Sequence, residues 1–165
     1  MTRRPVASPG TGSEYYNSNG VKTYGIEAEL TSILSQKIEL RLNGSYIDEK
    51  HLQHNSGEHD IDNIAHYTAN MILNYNFNSY FGGALSSQYI SQKAYTLTTG
   101  ETGEIAAYNL TNITLSYQNK PFEANLYLKN IFDTEYTYPE SVRQNIKEVP
   151  GGAGASAYLT LRYYF

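Results

Sequence analysis

Apolar and polar residues alternate along most of the chain with a period of two, the pattern of β-strands whose two faces meet different surroundings. The longest regular stretch runs from Tyr67 to Phe77, and the same alternation ends the chain from Ala155 to Phe165. Five further segments share it, near residues 26–30, 38–46, 80–91, 112–117 and 123–129. The pattern therefore predicts an all-β fold, an antiparallel meander of about seven strands.

The links between these segments are alternately short and long. Short links fall near residues 32–36, 76–79 and 118–121, and long links near 49–63, 94–107 and 133–154. Because consecutive links of a meander lie on opposite edges, all the short links share one rim and the long links the other. Outer-membrane β-barrels have short periplasmic turns and longer extracellular loops. The pattern thus favours a transmembrane barrel wall whose last strand ends in the periplasm.

Side-chain chemistry assigns the two faces of such a wall. One face is expected to meet lipid and carries Met71, Leu73, Ile113, Leu115, Leu126 and Leu128. The other is expected to line the lumen and carries Asn70, Asn74, Thr114, Asn125 and Lys129. Aromatic residues lie beside the short links: Tyr75, Phe77, Tyr80, Phe81, Tyr117, Phe122, Tyr163 and Phe165. They are predicted to form an interfacial girdle, although Tyr is also common in ordinary strands.

The amino-acid composition excludes several classes of protein and of functional site. The sequence has 17 Tyr, 5 Phe and 13 Gly but no Cys, which excludes disulfide scaffolds, thiolate metal sites and cysteine nucleophiles. A net charge of -4 without a basic cluster argues against nucleic acid as a partner. No stretch approaches the roughly 18 consecutive apolar residues of a membrane helix. A mean hydropathy of -0.52 is compatible with strands that have one polar face.

Residues 1–14 are predicted to form a disordered amino-terminal segment. Met1–Gly10 carries positive charge, but no apolar stretch follows it, so it does not resemble a signal peptide. Because an outer-membrane protein normally needs such a peptide, we expect a truncated reading frame. Residues 15–165 are expected to form the strands.

Three segments carry a family resemblance. Leu128–Tyr136 (LKNIFDTEY) resembles the N-[LI]-F-D-x-x-Y element of the penultimate strand in TonB-dependent outer-membrane receptors. Val149–Gly152 followed by Ala157–Phe165 resembles their last strand with its terminal aromatic, and Asn19–Leu30 resembles a strand with a G-[IV]-E-x-E pattern. The chain departs from the family where many relatives have Arg soon after Pro-Gly, since Ala153-Gly154-Ala155 stands there.

The resemblance implies the carboxy-terminal portion of a β-barrel of about 22 strands, an open segment amounting to roughly a third of it. In the family, TonB pulls on an amino-terminal plug, expected to be missing here, to admit a scarce nutrient such as an iron–siderophore complex or cobalamin. The implied location is the outer membrane of a Gram-negative bacterium, with membrane lipid and the barrel-assembly machinery as partners. No cofactor is expected. The alternative is a small autonomous barrel that binds a hydrophobic ligand or serves as a structural protein.

Two groups of residues are candidates for function. One face of the last strand resembles an assembly signal: Leu159, Leu161, Tyr163 and Phe165. All four histidines fall in or beside one long link, where they are candidates for cargo contact: His51, His54, His59 and His66. Their spacing matches no closed metal motif, which favours a solvated extracellular loop. Glu27 and Glu29 lie two apart, but no nucleophile–base pair accompanies them, so no enzymatic activity is expected.

Overall fold

The computed structural model describes residues 3–7, 13–17, 21–51, 64–96, 102–142 and 145–165. Within these ranges the regular structure consists of β-strands, listed here in chain order: β1 (Arg3–Ala7), β2 (Ser13–Asn17), β3 (Val21–Ser35), β4 (Ile38–His51), β5 (Tyr67–Asn76), β6 (Phe81–Ile90), β7 (Lys93–Thr96), β8 (Thr102–Ile105), β9 (Tyr108–Asn119), β10 (Phe122–Lys129), β11 (Thr137–Val142), β12 (Asn145–Pro150) and β13 (Ser156–Tyr163). No helix long and apolar enough to cross a membrane occurs in these ranges.

Seven of these strands form one open sheet in the order β13-β10-β9-β6-β5-β4-β3, and every neighbouring pair is antiparallel. The predicted all-β antiparallel meander of about seven strands is therefore confirmed. The other described strands form three two-stranded hairpins, β1–β2, β7–β8 and β11–β12. β7–β8 lies in the link between β6 and β9, and β11–β12 in the link between β10 and β13. β1 falls within residues 1–14, for which the sequence favours disorder.

The predicted alternation of link length is also confirmed. Short turns at residues 36–37, 77–80 and 120–121 join β3 to β4, β5 to β6 and β9 to β10, and this edge is called the short-turn rim. Longer links on the opposite edge, the long-link rim, join β4 to β5, β6 to β9 and β10 to β13. In the β5–β6 turn, the N–H groups of Tyr80 and Phe81 donate to Asn78 Oδ1 at 2.8 and 2.9 Å, an arrangement that Asn favours in turns.

The strand registers bring the apolar positions onto one face of the sheet. Leu40 pairs with Leu73, Leu73 with Leu85, Leu85 with Ile113, and Ile113 with Leu128, so one apolar row crosses five strands. Paired residues of antiparallel strands point to the same side of the sheet. The registers therefore place the residues predicted to meet lipid together on one face, and the residues predicted to line the lumen on the other.

The sheet is a single layer with little buried interior. The buried residues in the described part of the chain lie towards the long-link rim: Ile105, Tyr108, Ser91, Thr111 and Asn130. Large apolar side chains on the strands are instead exposed, with Leu159 and Leu161 at 63% and 60%. An apolar face of this extent requires a covering environment, and lipid supplies one for a barrel wall.

Candidate membrane-spanning wall and its last strand

Aromatic rings line the apolar face at the short-turn rim. The ring centroids of Phe81 and Tyr117 lie 4.7 Å apart, and those of Tyr117 and Phe122 lie 6.1 Å apart. Two further ring pairs belong to the same rim: Tyr75 with Phe77 at 4.7 Å, and Tyr163 with Phe165 at 5.1 Å. These residues are called the short-turn girdle. Their position matches the aromatic belt that transmembrane barrels place at the membrane interface.

A second aromatic row, which the sequence analysis missed, lies on the same face towards the long-link rim: Tyr24, Tyr46, Tyr67 and Tyr89. The rings of Tyr46 and Tyr67 lie 4.9 Å apart. Tyr67 and Tyr75 are eight residues apart on β5, which corresponds to about 27 Å along the strand, or about 21 Å of height at a tilt of roughly 40°. That height is close to the roughly 25 Å apolar band of an outer-membrane barrel.

The opposite face of the sheet is polar and internally hydrogen-bonded. Asn70 Nδ2 donates to Asn43 Oδ1 at 2.8 Å, and the hydroxyl oxygens of Ser45 and Thr68 lie 2.7 Å apart. Between the two aromatic rows, the charged residues of the described strands lie on this face: Glu27, Glu29, Glu39, Arg41, Glu123, Lys129 and Arg162. A charge on the lipid face is costly, so this distribution identifies the polar face as the lumen side.

β13 forms one edge of the sheet and carries the residues predicted as an assembly signal. Leu159, Leu161 and Tyr163 lie on its apolar face, and Phe165 follows the strand with its side chain fully exposed. On the lumen side, the Arg162 guanidinium donates to Glu123 Oε2 at 3.3 Å. In the described residues β13 pairs with β10 alone, so its second edge leaves backbone donors and acceptors open for another strand.

Residues Asn130–Tyr136, called here the β10 loop, contain the motif that carries the family resemblance. Asn130 and Asp133 adopt positive φ angles of 47° and 52°, a conformation that Asn and Asp tolerate better than most residues. Asn130 Oδ1 accepts from Thr134 N at 2.9 Å, and Asn130 Nδ2 donates to Thr134 O at 3.0 Å. The buried Asn130 amide therefore replaces the missing backbone pairing inside the loop.

The β10 loop also contacts the segment that leads into β13. The N–H of Ala155 donates to Asp133 Oδ1 at 2.7 Å, and the N–H of Gly151 donates to Tyr136 O at 2.8 Å. A Cβ at Gly151 would overlap the Tyr136 ring, so a residue without a side chain is needed there. Burial raises the pKa of the Tyr136 phenol, and Tyr138 raises it further through its charge and a hydrogen bond. Tyr136 therefore stays neutral at physiological pH.

The described structure does not test the four histidines as a group. His54 and His59 lie outside the described residues, and His51 ends β4. His66 is exposed, with its Nδ1 at 2.8 Å from the carbonyl oxygen of Ile47. No group of three or more potential metal ligands occurs in the described ranges. The cargo-contact prediction for these residues therefore stays a prediction.

The sequence comparison identifies a family. A family model described as "TonB dependent receptor-like, beta-barrel" matches residues 2–131. Receptors of this family are transporters of the Gram-negative outer membrane and are not enzymes. No curated protein matches the chain.

The fold is similar to that of solved receptor structures. The siderophore receptor PiuA from Acinetobacter baumannii has a TM-score of 0.69 and 18% identity, over 87% of this chain and 22% of that chain. FpvA from Pseudomonas aeruginosa, the pyoverdine outer-membrane receptor, has a TM-score of 0.75 and 15% identity, over 99% of this chain and 25% of that chain. FyuA from Yersinia pestis, the ferric yersiniabactin uptake receptor, has a TM-score of 0.72 and 15% identity, over 92% of this chain and 25% of that chain.

The chain thus spans about a quarter of the length of these receptors. Identities this low establish the shared fold alone, and that fold agrees with the family match over residues 2–131. The two-faced sheet, its girdles and its alternating links are the features of a barrel wall. The chain belongs to the TonB-dependent receptor family, of which it forms a segment of the β-barrel.

Proposed function

We propose that this chain forms the carboxy-terminal strands of an outer-membrane receptor that takes up a scarce nutrient with energy delivered through TonB. The match of residues 2–131 to the receptor barrel carries the proposal. An iron–siderophore complex is the cargo class that the similar structures favour, since PiuA, FpvA and FyuA are described as receptors for siderophores or their ferric complexes. Cobalamin is a second candidate cargo, because its uptake in this family also uses energy delivered through TonB. TonB would act through the plug of the complete receptor.

The lumen face supports this proposal because it suits contact with a polar folded plug. Its hydrogen-bonding side chains form rows across neighbouring strands, as in the pair Asn43 and Asn70 and the pair Ser86 and Asn112 at 3.2 Å. A wall lined by Asn, Ser and Thr can exchange hydrogen bonds with a plug or with water at similar energy. The long links would face the cargo, and the four histidines on and beside the β4–β5 link are proposed as contacts there: His51, His54, His59 and His66.

The alternative of a small autonomous barrel conflicts with the direction of the edge strands. In a meander of seven antiparallel strands, the first and last run the same way, so β3 and β13 point in the same direction. Closure of this sheet on itself would need one parallel pair, whereas outer-membrane barrels of bacterial single chains have an even number of antiparallel strands. The topology therefore favours a larger barrel that supplies an odd number of further strands.

The transport proposal is tested with a complete receptor that carries this segment, produced in a Gram-negative host without its own siderophore receptors. We expect the receptor to restore uptake of radiolabelled iron from at least one ferric siderophore, and deletion of TonB in the host to abolish that uptake. Uptake that persists without TonB would contradict the proposed energy source. Binding of a hydrophobic ligand without any TonB-dependent uptake would favour the alternative.

A second part of the proposal concerns assembly. Leu159, Leu161, Tyr163 and Phe165 are proposed as the signal that the barrel-assembly machinery reads, because they form the exposed apolar face of an edge strand with open backbone groups. Deletion of Phe165 should lower the surface abundance of the complete receptor and leave cargo uptake per folded molecule unchanged. Phe165→Ala and Phe165→Tyr are compared with the deletion, because they keep the length of the chain. Normal abundance after the deletion would refute the assembly role.

A further inference from the structure

β13 lacks the tight turn that usually fixes the register of a strand against its neighbour. It is joined to β10 by 26 residues, 130–155, so no tight turn aligns the two strands. Side-chain polarity excludes a shift by one residue, which would exchange the faces, but permits a shift by two. After such a shift, Leu126 would oppose Leu161 or Ala157 in place of its partner Leu159, and the pairing would remain apolar. The native register also pairs Arg162 with Glu123, but a solvated ion pair contributes little to stability. A further contact is therefore needed to select the register.

The β10 loop is itself anchored to β9, which gives it a fixed position beside the start of β13. The N–H of Asn130 donates to Asn112 Oδ1 at 3.0 Å, and the N–H of Ile131 donates to the carbonyl of Thr111 at 2.9 Å. The register of β9 against β10 is set independently by the two-residue turn at Lys120 and Pro121. The loop thus forms a fixed platform on the side of the sheet where β13 begins.

Asp133 connects this platform to β13. Its carboxylate accepts the N–H of Ala155 at 2.7 Å, and Ala155 immediately precedes Ser156, the first residue of the strand. A shift of β13 by two residues moves Ala155 by about 7 Å, well beyond hydrogen-bonding distance of the carboxylate. Gly154 makes the approach possible, because a Cβ at that position would overlap Asp133 Oδ1.

We propose that the β10 loop fixes the register of β13, with Asp133 as the positioning residue and Gly154 as the residue that admits it. The loop takes the place of a tight turn such as those that align β3 with β4, β5 with β6 and β9 with β10. The free edge of β13 must pair with a further strand when the barrel closes, and the stagger of a closed barrel is fixed by its strand registers. The contact between Asp133 and Ala155 therefore determines which backbone groups β13 offers to the closing strand.

Disulfide trapping reads the register directly, because the chain has no native cysteine. In a complete receptor that carries this segment, Asn125→Cys is combined in turn with Thr160→Cys, the native partner, and with Tyr158→Cys or Arg162→Cys, the partners after a two-residue shift. Directly opposed Cβ atoms lie about 4.5–5.5 Å apart and diagonal ones about 7–8 Å, so a disulfide favours the opposed pair. Cross-linked fractions are measured in assembled receptor in the membrane.

With Asp133 present, we expect the native pair to dominate. In Asp133→Ala, the ratio of native to shifted cross-links should fall by about tenfold or more, whereas Asp133→Asn, which keeps the Oδ1 acceptor, should retain the native ratio. Gly154→Ala blocks the same contact with Asp133 intact and should shift the ratio in the same direction. Glu135→Ala removes an exposed carboxylate of the same loop and serves as the matched control.

A register role and a merely stabilising role give different results. If Asp133→Ala or Gly154→Ala lowers the yield of assembled receptor but leaves the ratio of native to shifted cross-links unchanged, the proposal is wrong. An equal change of the ratio in Glu135→Ala would also overturn it, since that variant leaves the contact between Asp133 and Ala155 in place. Because two variants disrupt the contact from opposite sides, poor assembly of one still leaves the other as a test. The result does not depend on which cargo the receptor takes.

Discussion

Arginine substitutions on adjacent residues of β10 provide a direct test of the face assignment. Leu126 lies on the apolar face, paired with Leu115 on β9 and Leu159 on β13, whereas the neighbouring Asn125 lies on the lumen face. Leu126 is four residues from Phe122 in the short-turn girdle. This spacing is about 14 Å along the strand and about 10 Å of height at a tilt of roughly 40°. Leu126 is therefore close to the midplane of a roughly 25 Å apolar band.

The depth of Leu126 in the membrane determines how much folding free energy an arginine at this position should cost. Arginine at the midplane of the lipid face of a barrel costs about 2–4 kcal/mol, because its charge leaves water for hydrocarbon. That range lowers the folding equilibrium constant by about 30- to 700-fold. At Asn125 the guanidinium would stay in the wet lumen, and we expect a cost below about 1 kcal/mol. The two variants thus differ chiefly in the side of the sheet that receives the charge.

The comparison requires a complete receptor barrel that folds reversibly into phospholipid vesicles. Leu126→Arg and Asn125→Arg are compared by denaturant titration, with the folded fraction read from the electrophoretic shift between folded and heat-denatured barrels. Leu126→Ala and Asn125→Ala correct for the loss of the native side chain. An equal loss of folding free energy in the two arginine variants would refute the assignment of the apolar face to lipid.

Three further predictions concern local features of the wall. Gly25→Ala should destabilise the barrel by about 1–3 kcal/mol, because the new Cβ would lie 2.8 Å from a β4 carbonyl oxygen. Gly44→Ala is the control: its Cβ would have its nearest contact at 3.3 Å, so it should cost less in the same denaturant titration. Tyr117→Ala should cost about 1–3 kcal/mol through two lost ring contacts, and Tyr117→Phe should be nearly neutral in thermal unfolding. Arg162→Gln and Glu123→Gln should each cost less than about 1 kcal/mol, because their ion pair is solvated, as a double-mutant cycle would measure.

The seven-stranded sheet could be predicted from the sequence because the same physical constraint acts on every one of its strands. Each wall residue faces either lipid or lumen, so a strand such as Tyr67–Phe77 shows its period of two without knowledge of its neighbours. Antiparallel pairing preserves this parity, and the faces predicted strand by strand therefore agree across the sheet. The hairpins β7–β8 and β11–β12 lack this signal. They have four to six residues per strand, and β11 contains Pro139, a residue that is unusual within a strand.

Two features were not predicted from the sequence: the second aromatic row and the contacts of Asp133. The second aromatic row could have been found from an eight-residue spacing, since Tyr67 and Tyr75 on β5 and Phe81 and Tyr89 on β6 bracket similar lengths of strand. The contacts of Asp133 could not, because Ala155 is 22 residues away and nothing local indicates that the link folds back. The sequence of this motif resembles the family element, but its hydrogen-bond partners are given by the structure alone.

The sheet needs both lipid on its apolar face and partners for its edge strands to be stable. In water, the outward side chains of β13 would form an aggregation-prone edge beside open backbone groups, as at Leu159 and Leu161. Lipid covers the apolar face but cannot satisfy backbone donors and acceptors, whose exposure to hydrocarbon costs several kcal/mol per group. Pairing of the β13 and β3 edges with further strands removes that cost. A wrong register at β13 would leave backbone groups unpaired at the closing seam, so the contact between Asp133 and Ala155 acts on the step that makes the wall stable in the membrane.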